Sequence, residues 1–137
     1  ETTGHVQYLV HAGLCRHQGF SKLADIQTAY SVEEAQHSSR VIARILLLEA
    51  APAPKLLVEV GGTSTVPEQL EADRDLVRGA VAHLRKSVGE CERSGDFVSR
   101  DLLSEVLEDE ELHLYWLDKQ VSLIGEIGLA NYLQAQI

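Results

Sequence analysis

The run Ala51–Pro52–Ala53–Pro54, with the segment that follows it to Val66, constrains this chain more than any other feature. A long helical pattern lies on each side of it. Proline cannot continue a helix, because it lacks the amide donor and its ring collides with the preceding turn. The connection covers residues 51–66 and carries Leu56, Leu57, Val58 and a Gly61–Gly62 pair. Antiparallel neighbours need only a short turn, so a loop of this length in a compact domain runs somewhere specific.

Four helices bracket that connection in two pairs. Residues 1–18 carry Val6, Leu9, Val10, Gly13 and Leu14 at the spacing of one helical stripe, and Gly19 ends the pattern. Ser21 is a plausible N-cap for a second helix reaching about Ala50, with Ile26, Val32, Val41, Ile42, Ile45 and Leu46 inward. Thr65 or Val66 followed by Pro67 and Glu68 starts a third helix, through Leu70, Leu76, Ala80 and Leu84 to about Arg93. Ser94–Gly95 breaks it, and Asp96 opens a fourth, through Val98, Leu102, Val106, Leu117 and Ile124 to about Ile127. After Gly128, LANYLQAQ suits a short fifth helix. Two hairpins joined by a long crossover make an all-α, four-helix bundle with the connectivity of ferritin-like folds.

At 137 residues the chain suits one domain, 1–137, with a core of its own. The formal charge of −9 disfavours nucleic acid, since acidic surface repels phosphate and the twelve Lys and Arg form no patch. The same surplus of carboxylates concentrates cations. No run approaches a membrane span and no signal peptide is visible, so the expected location is the cytoplasm, with no membrane partner. Cys15 and Cys91 stand apart from any metal-type spacing and read as reduced thiols, with one disulfide the weaker alternative.

VEEAQH (32–37) and EDEELH (108–113) each contain a Glu-x-x-His: Glu34 with His37, and Glu110 with His113. Positions three apart share a helix face one turn apart, so the carboxylate and imidazole can hold one ion together. Chance alone gives roughly 0.6 such pairs in a chain of this composition. Their placement is more informative than their number, because one falls in each hairpin. Di-iron carboxylate bundles use that motif on two helices and a single Glu on each of the other two. Glu1 is the only acidic residue of the first helix and precedes Glu34 by 33 residues. The equivalent place before Glu110 is position 77, which is Val. Asp73 shares that face but lies roughly 6 Å away along the axis, and Asp75 points elsewhere. Within EDEE (108–111) only Glu110 has the inward phase. His5, His11, His17 and His83 lack such a partner and read as helix-surface or interface residues.

The chain resembles bacterioferritin in QYLVHAG (7–13), VEEAQHSSRVIARILLLEA (32–50), DFVSRDLLSEVLEDEELHLYWL (96–117) and GLANYLQAQI (128–137). The resemblance implies a hollow shell of 24 subunits, identical or mixed, that oxidises Fe(II) and stores the ferric mineral. It also implies that the first helix starts before residue 1. It makes Glu1 a terminal ligand of a di-iron site, Glu34 and Glu110 bridging carboxylates, His37 and His113 the imidazole ligands, and Tyr8 a tyrosine beside the site. Val77 stands where the family has its other terminal Glu, so the second iron is expected to be weakly held. Ala35 stands where the family has its haem-ligating Met, and the chain has no Met, so haem is implied by the resemblance but unsupported by the residues.

Two functions follow as expectations. One is an iron-storing subunit with ferroxidase activity at an incomplete di-iron site. The other is a structural subunit of a mixed shell, whose partner, a second bacterioferritin subunit, supplies full ferroxidase activity or haem binding. A di-iron oxygenase on the same bundle is a weaker third reading.

Overall fold

The computed structural model describes residues 1–61 and 64–137, and the Gly62 half of the expected glycine pair lies outside the described residues. Among the described residues five helices follow one another: α1 (Thr2–His17), α2 (Ser21–Leu47), α3 (Val66–Ser94), α4 (Phe97–Ile127) and α5 (Leu129–Gln134). α1 packs along α2 and α3 along α4, and the two hairpins face each other across the bundle.

Local chemistry sets the helix ends. Gly19 takes a φ of +89° after α1, and Gly95 takes +77° after α3, the left-handed backbone that ends a helix cheaply only at glycine. Thr65 and Glu68 form a capping box: the Glu68 carboxylate accepts from the Thr65 amide at 2.7 Å, and the Thr65 hydroxyl accepts from the Glu68 amide. Asp96 caps α4 by accepting from the Ser99 amide at 3.1 Å, and Arg44 of α2 donates to both residues, tying the two helix ends together. The expected Ser21 cap is not formed. Ser21 is the first residue of α2, and Phe20 precedes it with no side-chain cap. α2 stops at Leu47, three residues short of expectation, where Glu49 adopts a φ of 59° ahead of the prolines.

The crossover returns past the start of α1, where the Leu57 amide donates to the Thr3 hydroxyl at 2.8 Å. α5 folds back on the bundle through buried Tyr132, whose hydroxyl donates to Gln120 at 2.9 Å.

The inward faces of α1 and α2 differ from the apolar stripes in the sequence. Leu9 is 54% exposed, Val32 52% and Leu46 57%. The buried faces are instead Thr3, Gly4, Gln7, Tyr8, His11, Ala12 and Cys15 on α1, and Leu23, Ala24, Gln27, Ser31, Glu34 and His37 on α2. Periodicity finds the apolar face, but here the helices turn a partly polar face inward because the centre of the bundle is a hydrogen-bonded polar layer. Asp73 of α3 is fully buried and accepts from Gln7 at 2.7 Å and Gln27 at 2.8 Å, with His11 Nδ1 2.9 Å away. Buried polar groups of this kind persist only when paired. His11 is thereby a core residue, not the surface histidine its isolation suggested.

Candidate metal centre

Both Glu-x-x-His pairs point into the bundle, and Glu34, His37, Glu110 and His113 are all buried. One carboxylate oxygen or ring nitrogen from each of Glu1, Glu34, His37 and Glu110 lies within 4.8 Å of the others. The group draws on the start of α1, the middle of α2 and the middle of α4. α3 presents the aliphatic Val77, 1% exposed, which lines the same cavity as Glu34 and Glu110. Asp73 does not replace the missing carboxylate, because its two oxygens are engaged by Gln7 and Gln27.

His37 is held on both edges. Nδ1 lies 3.0 Å from Glu1 Oε2 and 3.9 Å from Glu110 Oε1, while Nε2 lies 3.0 Å from Asp109 Oδ2. Asp109 and its neighbour Glu33 escaped the sequence reading, which assigned the inward phase of EDEE to Glu110 alone. Glu110 is the buried member, but half-buried Asp109 reaches the far side of the same ring. Glu33, His37 and Asp109 form a second, outer grouping of ligand-type atoms.

His113 sits apart from the four-residue group. Its ring stacks on Tyr30, with centroids 3.4 Å apart and planes 13° from parallel, and Tyr8 meets it edge-on at 5.2 Å. Tyr30 had a legible signal, since it lies four residues before Glu34 and shares its helix face. Burial lowers the His113 pKa to about 4, so the ring is neutral at pH 7 and Nε2 has a free lone pair whenever the proton rests on Nδ1.

Protons take the place of cationic partners in this cluster. Burial, with the charges of Glu110 and Glu1, raises Glu34 to about 11. Burial and the Glu1 charge raise Glu110 to about 7. Burial would also raise Glu1, but hydrogen bonds with His37 and Glu34 hold it below its usual range. Burial works against a charge on His37, yet the bonds to Glu1 and Asp109 carry its pKa above the ordinary value.

On the two Glu-x-x-His motifs, three ligand-type atoms are buried without any hydrogen-bond partner: Glu34 Oε2, Glu110 Oε2 and His113 Nε2. Orphaned acceptors of this kind are costly in a native core and are satisfied by an ion or water that fits between them. Carboxylate oxygens with imidazole nitrogen are a donor set suited to iron and other divalent first-row metals. The residues therefore fit a metal ion.

A cavity of about 1160 Å³ adjoins the cluster. Its walls run from Glu1, Glu34 and Glu110 past Val77 to the apolar side chains Ile42 and Leu84 and the crossover.

Residues 1–127 match the family model for the ferritin-like domain. A bacterial ferritin of Pseudomonas aeruginosa is 44% identical over 138 aligned positions, which span the whole of this chain and 89% of that protein. A bacterial ferritin of Synechocystis is 39% identical, spanning the whole chain and 88% of the relative. A bacterioferritin of Streptomyces coelicolor is 34% identical, spanning the whole chain and 82% of the relative.

Proposed function

The chain belongs to the ferritin-like domain family, and on that premise we propose that it is an iron-storage subunit that oxidises Fe(II) at the Glu1–Glu34–His37–Glu110 cluster. The observation that carries this reading is the convergence of three carboxylates and one imidazole from three helices, with orphaned Glu34 and Glu110 oxygens between them. Relatives named bacterial ferritin and bacterioferritin support storage as the purpose, and the assembly proposed with it is a shell of 24 subunits.

Iron is the substrate and the cargo. Fe(II) binding displaces the protons of Glu34, Glu110 and His37, and the resulting carboxylates lower the cost of raising the ion to Fe(III) through their charge, with dioxygen or peroxide accepting the electron that each iron loses. His37 ligates through Nδ1, the nitrogen that faces Glu1 and Glu110, while Asp109 holds the opposite N–H and fixes the tautomer. His113 lends a neutral nitrogen toward a second ion, which Val77 leaves one carboxylate short. The first ion is therefore held more tightly than the second. Among the described residues no helix is long and apolar enough to cross a membrane.

Anaerobic Fe(II) titration followed by oxygen tests this reading. The expected result is at least one Fe(II) bound per chain and a rapid oxidation phase that Glu34→Ala abolishes. Oxidation no faster than in protein-free buffer removes it. The second reading, a structural subunit in a mixed shell, draws on Val77 and Ala35 together, and shells of this single chain that load mineral normally would dismiss it.

A further inference from the structure

Gly4 is the third residue of α1 and faces directly into the cluster. A Cβ placed on it would lie 2.9 Å from Glu34 Cδ and 3.1 Å from each Glu34 carboxylate oxygen, closer than side chains pack. The Glu34 carboxyl group thus occupies the volume that any other residue at position 4 would fill. Nothing in the backbone asks for glycine there. Gly4 sits within a regular helix, and its φ is not among the positive values found at Gly19, Gly61, Gly95 and Gly128. Gly13 of the same helix has no atom within 4 Å of the equivalent Cβ position. Glycine weakens a helix relative to alanine, so at Gly4 that cost accompanies a close approach of backbone to a functional group.

The direction of the approach matters. Glu34 reaches across from α2 toward α1, where Glu1 and Glu110 also converge, while Val77 of α3, on the wall of the same cavity, offers no charge or donor. We propose that Gly4 is a positioning residue for the metal centre: its missing side chain opens the notch that lets Glu34 join Glu1, His37 and Glu110 around one cation. This rests on the reading of that cluster as the iron site and adds the residue that sets its geometry. A methyl group at position 4 pushes the Glu34 carboxyl back along its own flexible side chain. The helix tolerates that, but the ligand group loses one member.

Co(II) binding, followed by its visible absorption under anaerobic conditions, tests the proposal in wild type, Gly4→Ala and Gly13→Ala, each checked by circular dichroism and thermal melting. Gly4→Ala is expected to fold with an unchanged helical spectrum and to bind Co(II) at least about tenfold more weakly, with an altered band shape. Gly13→Ala, the same chemical change in open space, is expected to bind as wild type does. Equal affinity and spectrum in Gly4→Ala and wild type would overturn the proposal while leaving the iron reading intact. No Co(II) binding by wild type would remove both. If Gly4→Ala does not fold, the Gly4→Ala/Glu34→Asp double variant decides. Its carboxylate is one methylene shorter and clears the added methyl group, so recovered folding supports the notch, and failure to recover shows that Gly4 serves the helix alone.

Discussion

His37 Nε2 lies 3.0 Å from Asp109 Oδ2, on the edge of the ring opposite Glu1. That arrangement fixes which nitrogen is presented to the carboxylate cluster. With Asp109 accepting from Nε2–H, the imidazole keeps Nδ1 for a metal and is held from rotating about its own side chain. Losing such a partner typically costs 10–100-fold in metal affinity. Asp109→Ala is therefore expected to weaken Co(II) binding by about 10–100-fold. Asp109→Asn, which keeps an acceptor oxygen, should lose less. Because the Asp109 side chain is 40% exposed, neither change should lower the melting temperature by more than a degree or two, roughly the scale of a surface substitution. Equal metal affinity in all three proteins would show that the His37 ring is oriented without Asp109.

The metal-free protein should lose stability as pH rises above about 6.5. Glu34 and Glu110 have folded pKa values raised to about 11 and about 7, above those of an unfolded carboxyl. Between the unfolded and folded values the native state binds more protons than the unfolded one, so stability falls with increasing pH. His113 acts oppositely, because its folded pKa is lowered to about 4, but its contribution is complete once pH exceeds the ordinary histidine value. His37, raised above that value, adds to the loss at higher pH. Thermal melting in a chelator is expected to show a melting temperature that declines from pH 6.5 to pH 9, and Glu34→Gln should flatten the decline. Saturating Co(II) or Zn(II) should abolish it, and metal binding at pH 7 should release protons in a pH-stat.

Val77→Glu introduces a carboxyl into a wall shared with Glu34 and Glu110, beside open volume. Without metal, a buried carboxyl with no partner costs about 1–3 kcal/mol, so the metal-free variant should melt lower than wild type. With metal, the added carboxylate borders the cavity that Glu34 and Glu110 also line and supplies the ligand that the proposed second ion lacks. The expected outcome is a rise from one tightly bound Co(II) per chain toward two, with faster Fe(II) oxidation. Isothermal titration and stopped-flow absorbance measure the two effects. An unchanged stoichiometry would show that Val77 does not border the second ion's position.

The fold was legible in the sequence because its punctuation is strong. Thr65–Pro67–Glu68, Gly95–Asp96 and the APAP run each stop or start a helix for a local steric or hydrogen-bonding reason that no tertiary contact reverses. The buried faces of α3 and α4 were legible in Leu70, Leu84, Val106 and Leu117, but those of α1 and α2 were not, since Leu9, Val32 and Leu46 have helical periodicity but face out. Apolar spacing identifies a face, and only the partners opposite decide whether it turns inward. At the site, Glu34 and Glu110 were legible as motif members. The bond between Asp109 and His37 spans 72 residues of sequence, and the notch at Gly4 is a close approach between two helices, which one-dimensional spacing does not encode. The polar layer around Asp73 was missed for the same reason: Gln7, Gln27 and His11 come from two other helices and carry no shared sequence spacing with Asp73.

Ala35, half-buried beside Glu34 on α2, offers only a methyl group at the position to which the bacterioferritin resemblance assigns a haem-ligating thioether. Alanine has no donor atom, and with no Met in the 137 residues a homomeric assembly of them has no thioether to substitute at that place. The purified protein is accordingly expected to show no Soret band and to acquire none on incubation with hemin beyond weak, unsaturable adsorption. Ala35→Met supplies the missing thioether without touching the buried carboxylates, since position 35 is flanked by Glu34 but points away from the face that Glu34 shares with His37. If copies of the chain meet across that surface of α2, the variant should bind about one haem per two chains, with the absorption of a thioether-ligated iron. A variant that remains colourless would mean that the surface around Ala35 does not bring two such residues together.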